Sequence, residues 1–166
     1  MTLVEQQIDN RQAEAASDAA WEPKVVAFIC SWCSYTGADL AGIAGIQYPP
    51  NVRLVRVPCA GRLNPLFVLE SLQRGVDGVL VVGCPPGHCH YGEGNLLAQR
   101  RFRLLKGLLE HVGVEPGRLH FSWIGASEGP KFARIASEVV ENVRSLGPAK
   151  TLVRKARSAA QNLLID

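Results

Sequence analysis

The side chains with most chemistry to offer are five cysteines, Cys30, Cys33, Cys59, Cys84 and Cys89, with His88 and His90 beside the last. Two spacings stand out. Cys30-Ser31-Trp32-Cys33 is a C-x-x-C pair, and Cys84 and Cys89 share the stretch Gly83-Cys84-Pro85-Pro86-Gly87-His88-Cys89-His90-Tyr91. An odd cysteine count in a chain without a secretory layout argues against a disulfide framework. Thiols in this number have four uses. Four Cys or Cys/His groups can hold zinc in a tetrahedral shell. Four thiolates can hold an iron-sulfur cluster. Cys30 and Cys33 can cycle between dithiol and disulfide, with Cys33 near a helix N-terminus that lowers its pKa. One thiol can act as a nucleophile with His88 or His90 as its base. The C-x-x-C spacing serves the first three alike and does not choose among them. Cysteine as a small buried hydrophobe accounts for one or two of the five, but not for their absence from every long helical segment.

Such groups need a scaffold. The chain has 166 residues, enough for one domain with a real core. It is 47% apolar and 20% charged, as in ordinary globular proteins. No apolar run approaches a membrane span and the N-terminus lacks a basic-then-apolar leader, so a soluble, cytoplasmic protein is expected. The net charge of +3 is unevenly placed. Residues 1–22 carry Glu5, Asp9, Glu14, Asp18 and Glu22 against Arg11, and residues 149–166 carry Lys150, Arg154, Lys155 and Arg157 against Asp166. Opposite-sign tails point to protein partners. The basic patch with interleaved aromatics that a nucleic-acid binder needs is missing.

Four strand-helix units follow one another. Strands are expected over 24–29, 51–57, 77–82 and 118–124. The second is interrupted by Arg53 and Arg56 and belongs near an edge. Helices are expected over 35–46, capped by Ser34 or Thr36, and over 64–74, with Leu66, Phe67, Leu69 and Leu72 on the apolar side. A third over 94–112 carries the stripe Leu97, Leu104, Leu105, Leu108 and Val112. The fourth, over 127–146, turns Phe132, Ile135, Val139, Val140 and Val143 inward. The alternation predicts an α/β fold, a four-stranded parallel sheet with helices on both faces in the flavodoxin-like order 2-1-3-4. Residues 1–22 form an N-terminal extension, 23–148 the domain, and 149–166 an extra amphipathic helix expected to dock on a partner. Its apolar positions are Leu152, Val153, Ala156, Ala159, Ala160, Leu163 and Leu164.

This scaffold has a consequence for the thiols. Cys30, Cys59 and Cys84 each follow one of the first three strands, so all three fall at the carboxyl edge of the sheet, where ligands of such sheets bind. Cys33 and Cys89 lie further along two of the same loops. All five are therefore expected to converge, which favours a cluster over zinc, and both over simple thiol chemistry. His88 and His90 are then outer donors or surface groups. Trp32 and Tyr35 either shield the site from water or pack nearby, and Arg62 and Lys131 either steady thiolate charge or join ordinary ion pairs. The run Arg100-Arg101-Phe102-Arg103 belongs to an exposed helix face.

Beyond the cysteines, the segments Cys30-Ser31-Trp32-Cys33-Ser34-Tyr35 with Gly37-Ala38-Asp39, Tyr48 to Arg53, Arg56 to Arg62, Gly75 to Gly78, Gly83 to Tyr91 with Gly94-Asn95, and Ala126 to Phe132 recur in order. In these the chain resembles the delta-subunit family of methyl-viologen-reducing hydrogenases. The likeness runs from about Lys24 to Pro148, with small departures at Pro86 and His88. It implies an electron-transfer subunit that carries a 2Fe-2S cluster. Such a subunit links a donor oxidoreductase, such as a hydrogenase, formate dehydrogenase or methylenetetrahydrofolate reductase, to a flavin-containing, heterodisulfide-reductase-like A subunit. Four thiols suffice for the cluster. Cys30, Cys33, Cys84 and Cys89 are the expected ligands, with Cys59 as the spare on the same edge. No acid/base pair, nucleophile triad or phosphate loop speaks for independent catalysis. The competing readings are a dithiol oxidoreductase using Cys30 and Cys33, and a zinc-stabilised adaptor.

Overall fold

A computed structural model describes residues 21–153 of the chain. Most of the expected N-terminal extension, and residues 154–166 of the expected C-terminal helix, lie outside the described residues. Residues 149–153 are not helical.

The four strands are β1 (Val25–Cys30), β2 (Val52–Val57), β3 (Gly78–Gly83) and β4 (Leu119–Trp123). All neighbours pair in parallel, in the order β2-β1-β3-β4. This is the expected topology. Burial follows strand position. β3 is buried at every residue, whereas β2, an edge strand, exposes Arg53, Val55 and Arg56. A strand covered on both faces reads as an unbroken apolar run, and an edge strand tolerates charge.

The helices are α1 (Cys33–Ile43), α2 (Pro65–Gln73), α3 (Gly94–His111) and α4 (Gly129–Leu146). α1 and α4 cover one face of the sheet through Ala38, Ala41, Phe132, Ala136, Val140 and Val143. α2 and α3 cover the other through Val68, Leu72, Phe102, Leu105 and Leu109. α4 turns inward as its periodicity predicts, with Ile135 half-buried. Gly75, Gly113 and Gly147 take positive φ just past α2, α3 and α4, the left-handed conformation that ends helices and that glycine adopts without steric cost.

Three sequence expectations are corrected. Neither Ser34 nor Thr36 caps α1. The helix begins two residues earlier than expected, so both lie inside it, and Thr36 Oγ1 donates back to the Trp32 carbonyl at 2.8 Å. In α2, Val68 and Leu72 are buried, while Leu66 and Phe67 are 61% and 50% exposed. In α3, the buried line is Asn95, Ala98, Phe102, Leu105 and Leu109. Of the expected stripe only Leu105 is buried, and Leu97, Leu104, Leu108 and Val112 face solvent. α3 carries leucines on two faces, so period alone does not say which face meets the sheet.

The amino edge is tied together by a polar clamp. Asp77, buried just before β3, accepts from the Lys24 N–H at 2.9 Å and from the Ala149 N–H at 2.8 Å. One carboxylate therefore holds both the start of β1 and the segment after α4. Arg118, almost wholly buried, donates to the Asp77 carbonyl at 3.1 Å and pairs with Glu115 at 2.7 Å. Buried polar groups are costly when a partner is removed. Asp77→Ala strands two backbone N–H groups and is expected to lower the unfolding free energy by about 2–4 kcal/mol, read from urea melts of the full chain.

Candidate functional site

The carboxyl edge brings the five cysteines together. Cys30 is the last residue of β1, Cys59 lies two residues past β2, and Cys84 directly follows β3. Cys33 opens α1, and Cys89 sits in the loop that leads to α3. Cys30, Cys59 and Cys84 are buried, and Cys33 and Cys89 are half-buried. All five are free thiols.

The thiols are joined by neighbouring pairs. The Sγ atoms of Cys30 and Cys84 stand 3.6 Å apart. Cys84 also interacts with Cys33, Cys30 with Cys59, and Cys59 with Cys89. Cys33 also packs against the buried group of Cys30 and Cys84. Among the described residues, no group of three or more His, Cys, Asp or Glu side chains is arranged as the ligands of a single metal ion.

The electrostatics divide the buried thiols. Cys30 is lowered to about 6, first by the hydrogen bond from the Cys84 thiol and then by the backbone N–H groups of Trp32 and Ala60. Cys84 is raised, because it keeps its proton in that hydrogen bond and is buried. Cys59 is raised by burial, against the pull of the Gly61 N–H. The groups acting on these thiols are one another and backbone N–H groups, with no carboxylate among them. Backbone N–H groups aimed at sulfur stabilise thiolates and tune the potential of whatever the thiolates hold.

The frame of the site comes from residues whose role the sequence leaves hidden. Asn95, fully buried at the start of α3, donates through Nδ2 to the carbonyls of Cys84 at 3.0 Å and Pro85 at 2.9 Å. It pins the loop that presents Cys84. Gly87 takes φ +81°, and the His88 N–H bonds the Pro85 carbonyl at 3.0 Å, so the proline-glycine stretch is a tight turn. Gly61 and Gly94 press their backbones together, and a Cβ on Gly61 would meet the Gly94 Cα at 2.7 Å. A Cβ on Gly94 would lie 2.6 Å from Cys59 Sγ and 3.4 Å from Cys89 Sγ. Arg101 Nη1 fastens this contact by donating to the Gly61 carbonyl at 2.8 Å. The sequence signal for all of this was the bare presence of Gly61, Gly94 and Asn95 beside the cysteine segments.

The histidines and aromatics divide. His90 stacks on Trp32, centroids 3.5 Å apart at 14°, and Tyr91 meets both rings edge-on. This stack joins the Cys33 loop to the Cys89 loop. His88 contributes its carbonyl, 3.6 Å from Cys33 Sγ. Tyr35 lies away from the thiols, with the Arg56 guanidinium over its ring at 3.9 Å. Lys131 pairs with Glu128 at 2.9 Å, an ordinary ion pair. Arg62 lines a groove with Pro58, Cys59, Tyr91 and Leu97. Asn95→Leu leaves two buried carbonyls without their donor and is expected to cost about 2–4 kcal/mol in a urea melt. The same variant should raise hydrogen exchange in the loop 84–90.

Comparison with known proteins places the chain. The family model described as methyl-viologen-reducing hydrogenase, delta subunit, matches residues 25–147. The iron-sulfur D subunit of the F420-non-reducing hydrogenase of Archaeoglobus profundus is 52% identical over 130 residues, covering 78% of this chain and 95% of that protein. The vhc iron-sulfur D subunit of the F420-non-reducing hydrogenase of Methanococcus voltae is 46% identical over 128 residues, covering 77% and 89%. The A subunit of the ferredoxin/F420H2-dependent CoB-CoM heterodisulfide reductase of Methanosarcina acetivorans is 44% identical over 143 residues, covering 86% of this chain but 18% of that much longer protein. With its parallel sheet and its thiols on one edge, the chain belongs to the methyl-viologen-reducing hydrogenase delta-subunit family.

Proposed function

We propose that this chain is an electron-transfer subunit that holds a 2Fe-2S cluster at the carboxyl edge of its sheet. The observation that carries the reading is the convergence of five thiols, three of them buried, on a surface of backbone N–H groups. A soft, all-sulfur donor set fits iron-sulfur chemistry. Relatives named as hydrogenase iron-sulfur subunits support the same reading. Bound there, the cluster would accept and release one electron at a time.

The chain's own residues do the rest. Cys30 and Cys84 form one close pair. Cys59 and Cys89 form another, both set against Gly94. These pairs favour Cys30, Cys84, Cys59 and Cys89 as ligands, with Cys33 as the fifth thiol, in place of the ordering the family resemblance suggested. The N–H groups of Trp32, Ala60 and Gly61 offset thiolate charge. The stack of Trp32, His90 and Tyr91 holds the Cys33 and Cys89 loops together.

For the partners, relatives named as hydrogenase and heterodisulfide reductase subunits support an oxidoreductase complex. The proposed donor side is a hydrogenase or, as the family resemblance implies, another oxidoreductase such as formate dehydrogenase or methylenetetrahydrofolate reductase. The proposed other side is a flavin-carrying, heterodisulfide-reductase-like A subunit. The proposed setting is the cytoplasm, and no helix among the described residues is long and apolar enough to cross a membrane. The dithiol alternative is disfavoured because the near neighbour of Cys30 is Cys84, whereas Cys33 turns its thiol to the His88 carbonyl.

Anaerobic purification tests the proposal. About two irons and two sulfides per chain, with an EPR signal after reduction, are the expected result. Stoichiometric zinc without iron would overturn it in favour of the adaptor. Neither metal, with a titratable disulfide, would favour the dithiol.

A further inference from the structure

The two faces of the molecule differ in what they show to solvent. On α4 the exposed charges are matched within the helix and its cap, as Lys131–Glu128, Arg134–Glu138 and Arg144–Glu141. α3 is built otherwise. Leu97, Leu104 and Leu108 recur at helical spacing and are 39%, 71% and 57% exposed. Arg100, Arg101 and Arg103 stand around this line, with Lys106 half-buried. Among the described residues none of these four cations pairs with a carboxylate. Arg101 alone has a partner, the Gly61 carbonyl.

Three exposed leucines on one side of a single helix mark an interaction surface. Unmatched cations beside it call for acidic groups across the interface. The surface also has a fixed relation to the thiols. α3 begins at Gly94, against Cys59 and Cys89. Leu97 borders the groove in which Cys59, Arg62 and Tyr91 meet. The face therefore runs from Leu108 and Leu104, past Arg100 and Arg101, to Leu97 at the sulfur edge.

We infer that the Leu97, Leu104 and Leu108 face of α3 is where the redox partner docks, and that the partner meets it with an apolar patch rimmed by carboxylates. The inference rests on the electron-transfer reading above and adds the surface and its chemistry. The occupant is the heterodisulfide-reductase-like A subunit, because in a Methanosarcina relative this domain and the remainder of such a protein share one polypeptide. A partner seated on this face stands beside the thiols and also covers the leucines.

Two variants of the full chain test it, each with iron and sulfide measured alongside. One is Leu104→Glu with Leu108→Glu, and the other is Arg100→Glu with Arg103→Glu. The probe is the purified A-type protein of the same organism, titrated by biolayer interferometry at low and high salt. None of the four side chains belongs to the buried core, so melting temperature and iron content should match wild type. The leucine variant should weaken binding by at least tenfold, as loss of central anchors does. The arginine variant should weaken it at low salt and flatten its salt dependence. Unchanged affinity in both variants overturns the surface, and failure of the wild-type chain to bind overturns the partner. A wild-type dimer that the leucine variant dissolves would assign the face to a second copy and overturn the inference. Wild-type protein without iron or sulfide sinks the electron-transfer reading itself, a result the binding data cannot mimic.

Discussion

Gly94→Ala is expected to yield a folded protein that has lost most of its iron and sulfide. The new methyl would lie 2.6 Å from Cys59 Sγ and 3.4 Å from Cys89 Sγ. Contacts that short are relieved by swinging the thiols to other rotamers, since the opposing backbone at Gly61 is itself in contact. The fold has little at stake, because α3 is anchored by Phe102, Leu105 and Leu109 further along. Gly61→Ala should be harsher. Its Cβ meets the Gly94 backbone, which has no flexible end to yield, so overpacking of about 1–3 kcal/mol is expected with the loss of iron. Gly107→Ala is the control. It sits in α3 with open space around its Cβ position, and should raise stability by about 1 kcal/mol through helix propensity without touching iron content. Absorbance, iron assay and urea melts on the three variants separate thiol placement from fold. A Gly94→Ala protein with full iron content would show that Cys59 and Cys89 do not hold the cluster.

The second large effect comes from the cysteines. Cys30→Ser and Cys84→Ser should abolish iron binding, because their Sγ atoms stand 3.6 Å apart and are the most buried of the thiols. Cys59→Ser should do the same if the ligands are the two pairs proposed above. Cys33→Ser should retain more than half of the iron and sulfide, with a shifted EPR signal, since the half-buried Cys33 turns its thiol to the His88 carbonyl. The contrast between Cys59 and Cys33 is decisive. Iron kept by Cys59→Ser and lost by Cys33→Ser would restore the ligand set that family resemblance implied. Serine is used because a deleted side chain in this buried edge would leave a cavity as well as a missing ligand.

Sheet order and thiol convergence were legible because they depend on pattern. The apolar runs of β1 and β3, ended by Cys30 and Gly83, mark central parallel strands. The alternation with helices then fixes which loops share an edge. What stayed hidden depends on distance. Leu97, Leu104 and Leu108 match a helical period as well as Ala98, Phe102, Leu105 and Leu109 do, and only packing against β3 and β4 tells the buried line from the exposed one. Asn95 reads as a neutral helix residue until its amide is found on two loop carbonyls. The close approach of Gly61 and Gly94 joins residues far apart in sequence, and no local signal announces it. Which four of the five thiols serve as ligands depends in the same way on distance, and Cys59 has both Cys30 and Cys89 as neighbours.

The Asp77 clamp has a consequence for how the domain can be used. It fastens the residue before β1 and the residues after α4 to the same point, so the polypeptide enters and leaves at the amino edge while the thiols occupy the opposite one. Segments that continue from Lys24 or Ala149 therefore leave the described domain at its back. The domain behaves as a plug with its lead at one end and its contact at the other. It can travel as a free chain or be spliced into a much longer one, as its Methanosarcina relative is, without rebuilding the sulfur edge. Affinity tags and linkers for the experiments above belong at those same ends.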